Sequence, residues 1–167
     1  MKNKKKFLIS TLLSFFLLLL MSISICSASI EVTEIGIGGI PYHASADYIK
    51  SIYGEPDNVT TTHNHALWSG KIDNYYYGDS FQIVLRNDQV IWLGSTANNG
   101  LATPAGIKVG MKASMLTDVY ATGAPRRDRY GNIISYYYRS IQNEYLGLKF
   151  DVDAKGIIKG IYAGQFD

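Results

Sequence analysis

Setting Ala44-Ser45 over Ala113-Ser114 also brings Gly54 over Gly123 and Pro56 over Pro125, all at an offset of 69 residues. A repeat of this length constrains the fold more than any single motif. Each copy has to supply one supersecondary unit, and that unit must hide its apolar face against something. The first copy reads as a Gly-rich entry (Gly36 to Gly39), a helix over Ala44 to Tyr53, and a stop at Gly54-Glu55-Pro56. Glycine ends a helix because it takes a left-handed backbone readily, and proline just beyond cannot continue the turn. Apolar and aromatic runs follow at His65 to Trp68, Ile72 to Tyr77, Phe81 to Arg86 and Val90 to Leu93. The last two flank Asn87-Asp88 and form the clearest hairpin.

The second copy repeats this order with Ile107-Lys108-Val109-Gly110-Met111, a helix over Ser114 to Ala121, and a stop at Gly123-Ala124-Pro125. Strands are expected at Ile133 to Arg139, Tyr145 to Phe150 and Gly156 to Tyr162, where side chains alternate as half-buried strands require. The fold class expected is therefore α+β: two tandem units, each a short helical segment followed by an antiparallel β-meander. The units span residues 29–94 and 106–167, with residues 95–105, rich in Gly, Asn, Thr and Ala, as the linker.

Ahead of the first unit, Lys2, Lys4, Lys5 and Lys6 precede an apolar run from Phe7 to about Ile25, and Cys26-Ser27-Ala28-Ser29 supplies small residues. This pattern predicts a secretory signal over residues 1–28, removed before Ser29. The run is nearly as long as the roughly 18 apolar residues of a membrane helix, so retention as an anchor is the alternative. Ile25 before Cys26 is too large for lipoprotein processing. Of 16 lysines and arginines, the leader holds four, which leaves twelve against 14 acidic residues and a net charge of −2. No clustered basic surface points to nucleic acid. Cys26 is the chain's one cysteine, so residues 29–167 hold no disulfide and no thiol ligand or nucleophile.

The string Ile107-Lys-Val-Gly-Met111, a helix, Gly123-Ala-Pro125, then Phe150-Asp-Val-Asp-Ala-Lys-Gly156-Ile-Ile158 resembles the repeat shared by β-lactamase inhibitory protein and the small outer-membrane assembly lipoproteins. The resemblance spans Ile107 to Ala163 and, more weakly, Gly38 to Leu93. Tandem units resemble the inhibitor arrangement, although the disulfides of that family are missing here. What the resemblance implies is a protein-binding module, with the target open.

Thirteen tyrosines stand out, with Tyr75-Tyr76-Tyr77 and Tyr136-Tyr137-Tyr138 in corresponding places. Neighbours in a strand point to opposite faces, so each triple puts tyrosine both inward and outward. With Tyr76 and Tyr137 inward, the exposed face carries Tyr75, Tyr77, Tyr136 and Tyr138, joined by Trp92 on one side or the other; the opposite parity reverses this. Outward tyrosine offers contact area at little rotamer cost, which suits a binding surface. Tyr75, Tyr77, Trp92, Tyr136 and Tyr138 are thus the candidate partner-binding residues. Alanine at the four tyrosines is expected to leave the fold intact and abolish binding.

Three histidines, His43, His63 and His65, offer the only metal alternative, which requires His43 to fold back beside the other two. Asp151-Val152-Asp153-Ala154-Lys155-Gly156 opens like a calcium loop but lacks the later bidentate glutamate, and a hairpin turn explains it. No Gly-x-Ser-x-Gly elbow, paired carboxylates or His-Glu-x-x-His run is present. The expected function is a secreted or cell-envelope, non-enzymatic protein-binding module without cofactor, possessing inhibitor-like character. The alternatives are an extracytoplasmic metal-binding protein and an envelope assembly factor.

Overall fold

The computed structural model describes residues 29–63 and 69–166. Helix α1, Ala46–Tyr53, begins where the Ser45 side chain accepts the amide of Tyr48 at 3.2 Å. It ends at Gly54, whose φ of 76° few other residues would tolerate. Helix α2, Met115–Tyr120, is shorter and buries Leu116 and Tyr120, one turn apart on one face. It stops at Ala121, already left-handed at φ 60°, two residues before the glycine expected to end it. Gly123 has a different duty: a side chain there would collide with the Tyr138 ring.

Among the described residues eleven strands run in chain order: β1 Ser29–Ile30, β2 Gly36–Ile37, β3 Ile40–Pro41, β4 Asn58–His63, β5 Lys71–Tyr77, β6 Phe81–Arg86, β7 Gln89–Ser95, β8 Ala124–Arg127, β9 Ile133–Ser140, β10 Leu146–Val152 and β11 Ile158–Gln165. Nine of them form one sheet in the order β1-β9-β10-β11-β7-β6-β5-β4, with β8 also paired to β9; β2 and β3 form a small separate ribbon. The expected run at His65 to Trp68 lies wholly outside the described residues.

This sheet corrects the expected fold class. Among the described residues the chain is mostly β, with two short α-helices, and it is not two tandem helix-plus-meander units. β7 and β11 pair antiparallel, Leu93 opposite Ala163 and Gly94 opposite Tyr162, and so fuse what the repeat suggests are separate meanders. Pairing these strands satisfies two rows of backbone groups that separate units would leave open. Packing follows suit: Ile49 of α1, Leu116 and Tyr120 of α2, Ile37, Ile83, Leu93, Leu148, Phe150 and Ile161 belong to one core cluster. Helices of eight and six residues cover too little apolar surface to close two cores.

Both helices and the β2–β3 ribbon belong to that core on one face of the sheet, the inner face. Residues 95–105 are stitched to it, with the Gly38 amide donating to the Ala102 carbonyl at 2.8 Å and the Thr103 and Tyr120 hydroxyls bonded at 2.7 Å. Edge strand β4 is exposed at every position and shows no apolar alternation, which hid it in the sequence. β8 carries Pro125, tolerated at an edge where no ladder donor is needed. No helix among the described residues is long and apolar enough to cross a membrane, and the expected leader lies outside them.

Candidate functional site

Strand register decides which tyrosines meet water. Tyr77 pairs with Phe81, Phe81 with Ser95, Ser95 with Ile161, Ile161 with Phe150 and Phe150 with Tyr136. This row crosses six strands on the inner face. Tyr75 and Tyr138 end the next inner row, through Ile83, Leu93, Ala163 and Leu148. Tyr138 is 1 % exposed and Tyr75 7 %, while Tyr77 and Tyr136 are half-buried against the same core. Tyr77 stacks obliquely on Tyr53 and Phe81, with ring centres 5.4 and 6.2 Å away.

Four of the five candidate binding residues are therefore core-facing, and the opposite parity holds. Alanine at those four positions would hollow the core and could not leave the fold intact. Trp92 is the candidate that the structure places on the outer face.

A second row crosses the same strands on that outer face: Tyr76, Gln82, Gly94, Tyr162, Lys149, Tyr137. At about 4.8 Å per strand it spans roughly 24 Å. Two glycines shape it. Trp92 lies across Gly94 and Tyr162 leans over Gly160, so closely that a side chain on either glycine would strike the ring. The two rings are thereby laid along the sheet and stack, with centres 5.6 Å apart and planes at 30°.

Lys149 continues the array. Its Nζ sits 4.8 Å from the Tyr162 ring centre and 5.9 Å from that of Tyr137, and it pairs with Asp151 at 3.1 Å. Tyr137 meets Phe166 edge-on at 6.0 Å. At the other end the Gln82 amide donates to Asn74 Oδ1 at 3.2 Å and to the Tyr76 hydroxyl at 3.4 Å. Burial raises the Tyr162 hydroxyl above its ordinary range, and the nearby Asp151 carboxylate adds to this. It stays a neutral donor at physiological pH. Tyr76, Gln82, Trp92 and Tyr162 line a shallow cleft of about 190 Å³. Beneath Trp92 a small apolar cluster of Ile72, Val84 and Ile91 is buried on this side. No described helix or strand packs over the row.

Tyr76, Tyr137, Tyr162 and Lys149 were missed as site residues. A signal for the parity was present: a tight Tyr77-to-Phe81 hairpin sets Tyr75 and Tyr77 on the face of Phe81, Ile83 and Leu85. Another was the aromatic-x-glycine spacing of Trp92-Leu93-Gly94 and Gly160-Ile161-Tyr162.

The metal alternative gains no geometry. His43 stacks on Tyr42 with ring centres 4.1 Å apart, His63 ends β4 opposite Lys71, and His65 lies outside the described residues. Among the described residues no three potential ligands gather. In the calcium-like stretch, Asp153 Oδ1 accepts the amides of Lys155 and Ile157 at 2.8 and 2.9 Å, and Asp151 faces Lys149. That is a hairpin turn closed by its own aspartate.

No family model and no curated protein matches the chain. Among solved structures it is similar to a cysteine-rich secretory protein from Staphylococcus aureus Mu50, at 11 % identity and a TM-score of 0.52 over 83 % of this chain and 49 % of that one. It is also similar to an extracellular protein containing an SCP domain from Bacillus anthracis Ames, at 10 % identity and 0.51 over 83 % and 47 %. The chain spans about half the length of each. At such identities the likeness is one of fold alone. Neither structure is described as an inhibitor or an assembly lipoprotein.

Proposed function

We propose that this chain is an extracytoplasmic, non-enzymatic binding module that receives a protein partner on the outer face of its sheet. The observation that carries the reading is the row from Tyr76 to Tyr137, in which rings held flat by glycines present rigid apolar area beside Gln82, Asn74 and Lys149. Such rings lose little freedom on contact, and their hydroxyls tolerate a wet rim. The leader pattern supports work outside the cytoplasm, as do fold neighbours described as secretory and extracellular.

The test is retention of partners from the source cell's envelope and culture fluid by the full chain, compared with a Tyr76→Ala, Trp92→Ala, Tyr162→Ala variant. A stoichiometric protein held by the parent and lost from a variant of unchanged circular dichroism supports the reading. Equal retention by both removes the outer face from it. Reaction of a soluble substrate in the same fractions, dependent on the chain, would overturn the non-enzymatic assignment.

A further inference from the structure

The two edges of the large sheet are built differently. At one edge β1 has only two residues, and β8 carries Pro125, Arg126 and Arg127 with a register shift between the arginines. Short length, proline, positive charge and a bulge are the devices by which a sheet refuses a further strand. Strand β4, at the opposite edge, has none of them. Its sequence Asn-Val-Thr-Thr-Thr-His holds no proline, lysine, arginine, aspartate or glutamate, and its six pairs with β5 run without a break in register.

Every position of β4 is exposed, and among the described residues the strand pairs with β5 alone. Alternate residues therefore point their amide and carbonyl groups away from the sheet. Asn58, Thr60 and Thr62 lie beside Tyr76, Asn74 and Ile72 on the outer face, and Val59, Thr61 and His63 lie on the inner one. The Thr61 hydroxyl donates to the buried Asp73 carboxylate at 2.7 Å, and Lys71 pairs with that same side chain at 2.7 Å. The edge is thus held in ladder geometry before any further strand arrives.

We infer that β4 is a dimerisation edge, at which a second copy of this chain adds its own β4 antiparallel about a twofold axis normal to the sheet. Such an axis keeps outer face with outer face, so the residues that meet must share a face. Centred on Thr60, the register sets Thr60 opposite Thr60, Val59 opposite Thr61 and Asn58 opposite Thr62, with Asp57 opposite His63 at each end. No like charges meet. Threonine and asparagine face groups to which they can hydrogen-bond, as cross-strand neighbours in stable sheets do.

Symmetry meets the Asp57 carboxylate with an imidazole twice; Asp57 is exposed, with Oδ2 on the Gly78 amide at 2.6 Å. A second copy brings this complement with it, which is the reason to place it here rather than an unrelated strand. Because the far edge is guarded, addition stops at two chains. The outer row of each copy then continues from Tyr76 through Asn58 to the second copy's Thr62 and Ile72, so both aromatic rows lie on one face. The inference concerns the edge of the sheet, and its failure leaves the function proposed above standing.

Sedimentation equilibrium of the full chain measures the self-association. The parent is expected to dimerise with a Kd between about 1 μM and 1 mM, the range of a small interface. Thr60→Lys sets two ammonium groups face to face at the axis and should weaken the dimer at least about tenfold. Thr117→Lys, the same change at an exposed position of α2, should stay within about twofold of the parent. Thr60→Asp should weaken the dimer as Thr60→Lys does, and mixing the two variants should restore it to within about threefold, since lysine then faces aspartate. A parent that is monomeric at about 1 mM, a dimer that survives Thr60→Lys, or losses that mixing does not repair would overturn the proposal.

Discussion

Tyr138 and Tyr137 are adjacent in sequence and opposite in consequence. Tyr138 packs against Tyr120 and Phe150 inside the core, with ring centres 5.1 and 5.8 Å away, and Tyr137 rests half-buried on the outer face. Tyr138→Ala should cost about 3–5 kcal/mol through lost burial and a residual cavity. Tyr137→Ala should cost under about 1 kcal/mol. Urea unfolding of the two variants measures the difference, and equal losses would mean that the parity is misassigned. Burial also pushes the Tyr120 and Tyr138 hydroxyls up to about 12. An unfolded tyrosine titrates near 10, so the folded state holds these protons more tightly. Their contribution is complete below pH 10 and is lost as pH rises through about 12, of order 2–3 kcal/mol for each ring. Thermal midpoints should fall over that window. Tyr120→Phe should flatten the fall at a cost of about 1 kcal/mol near neutrality for the lost Thr103 bond. An unchanged alkaline profile in the variant would exclude Tyr120 as a source. The tyrosines themselves were legible in the sequence, but their faces were not, because a triple of one residue type has no amphipathic sign of its own.

Individual elements were legible to the extent that they carried local punctuation. Ser45 and Gly54 bracket α1 within two residues of expectation, and the β6–β7 hairpin appears where Asn87-Asp88 marks the turn. Strands β4 and β8 escaped because an exposed edge needs no apolar alternation and admits proline. Gly94 illustrates what an element adds to a residue: in β7 it is the space into which Trp92 lies down. Gly94→Ala should lift the indole, cost about 1–2 kcal/mol and shift Trp92 emission to longer wavelength, read in a Trp68→Phe background. Emission identical to that of the parent would show that Trp92 is not held by Gly94.

At the scale of the whole molecule, the β7–β11 seam and the shared core make the two halves interdependent. Separate fragments of residues 29–105 and 106–167 should each lack cooperative thermal unfolding by circular dichroism and regain it when mixed. A cooperatively folding fragment would show that one half holds a core of its own. The sequence by itself carried the leader pattern, the stop of the first helix at Gly54, the β6–β7 hairpin turn and the absence of cysteine chemistry after Ser29. Each of these depends on residues close together in the chain. Only the tertiary structure decided that the strands join in one sheet, that Tyr75 and Tyr138 turn inward, and that Tyr76, Tyr162 and Tyr137 fall in one outer row. The reason is the pairing of β7 with β11: contact between strands some 70 residues apart in the chain sets the register of everything beside them, and a one-residue slip would exchange the faces.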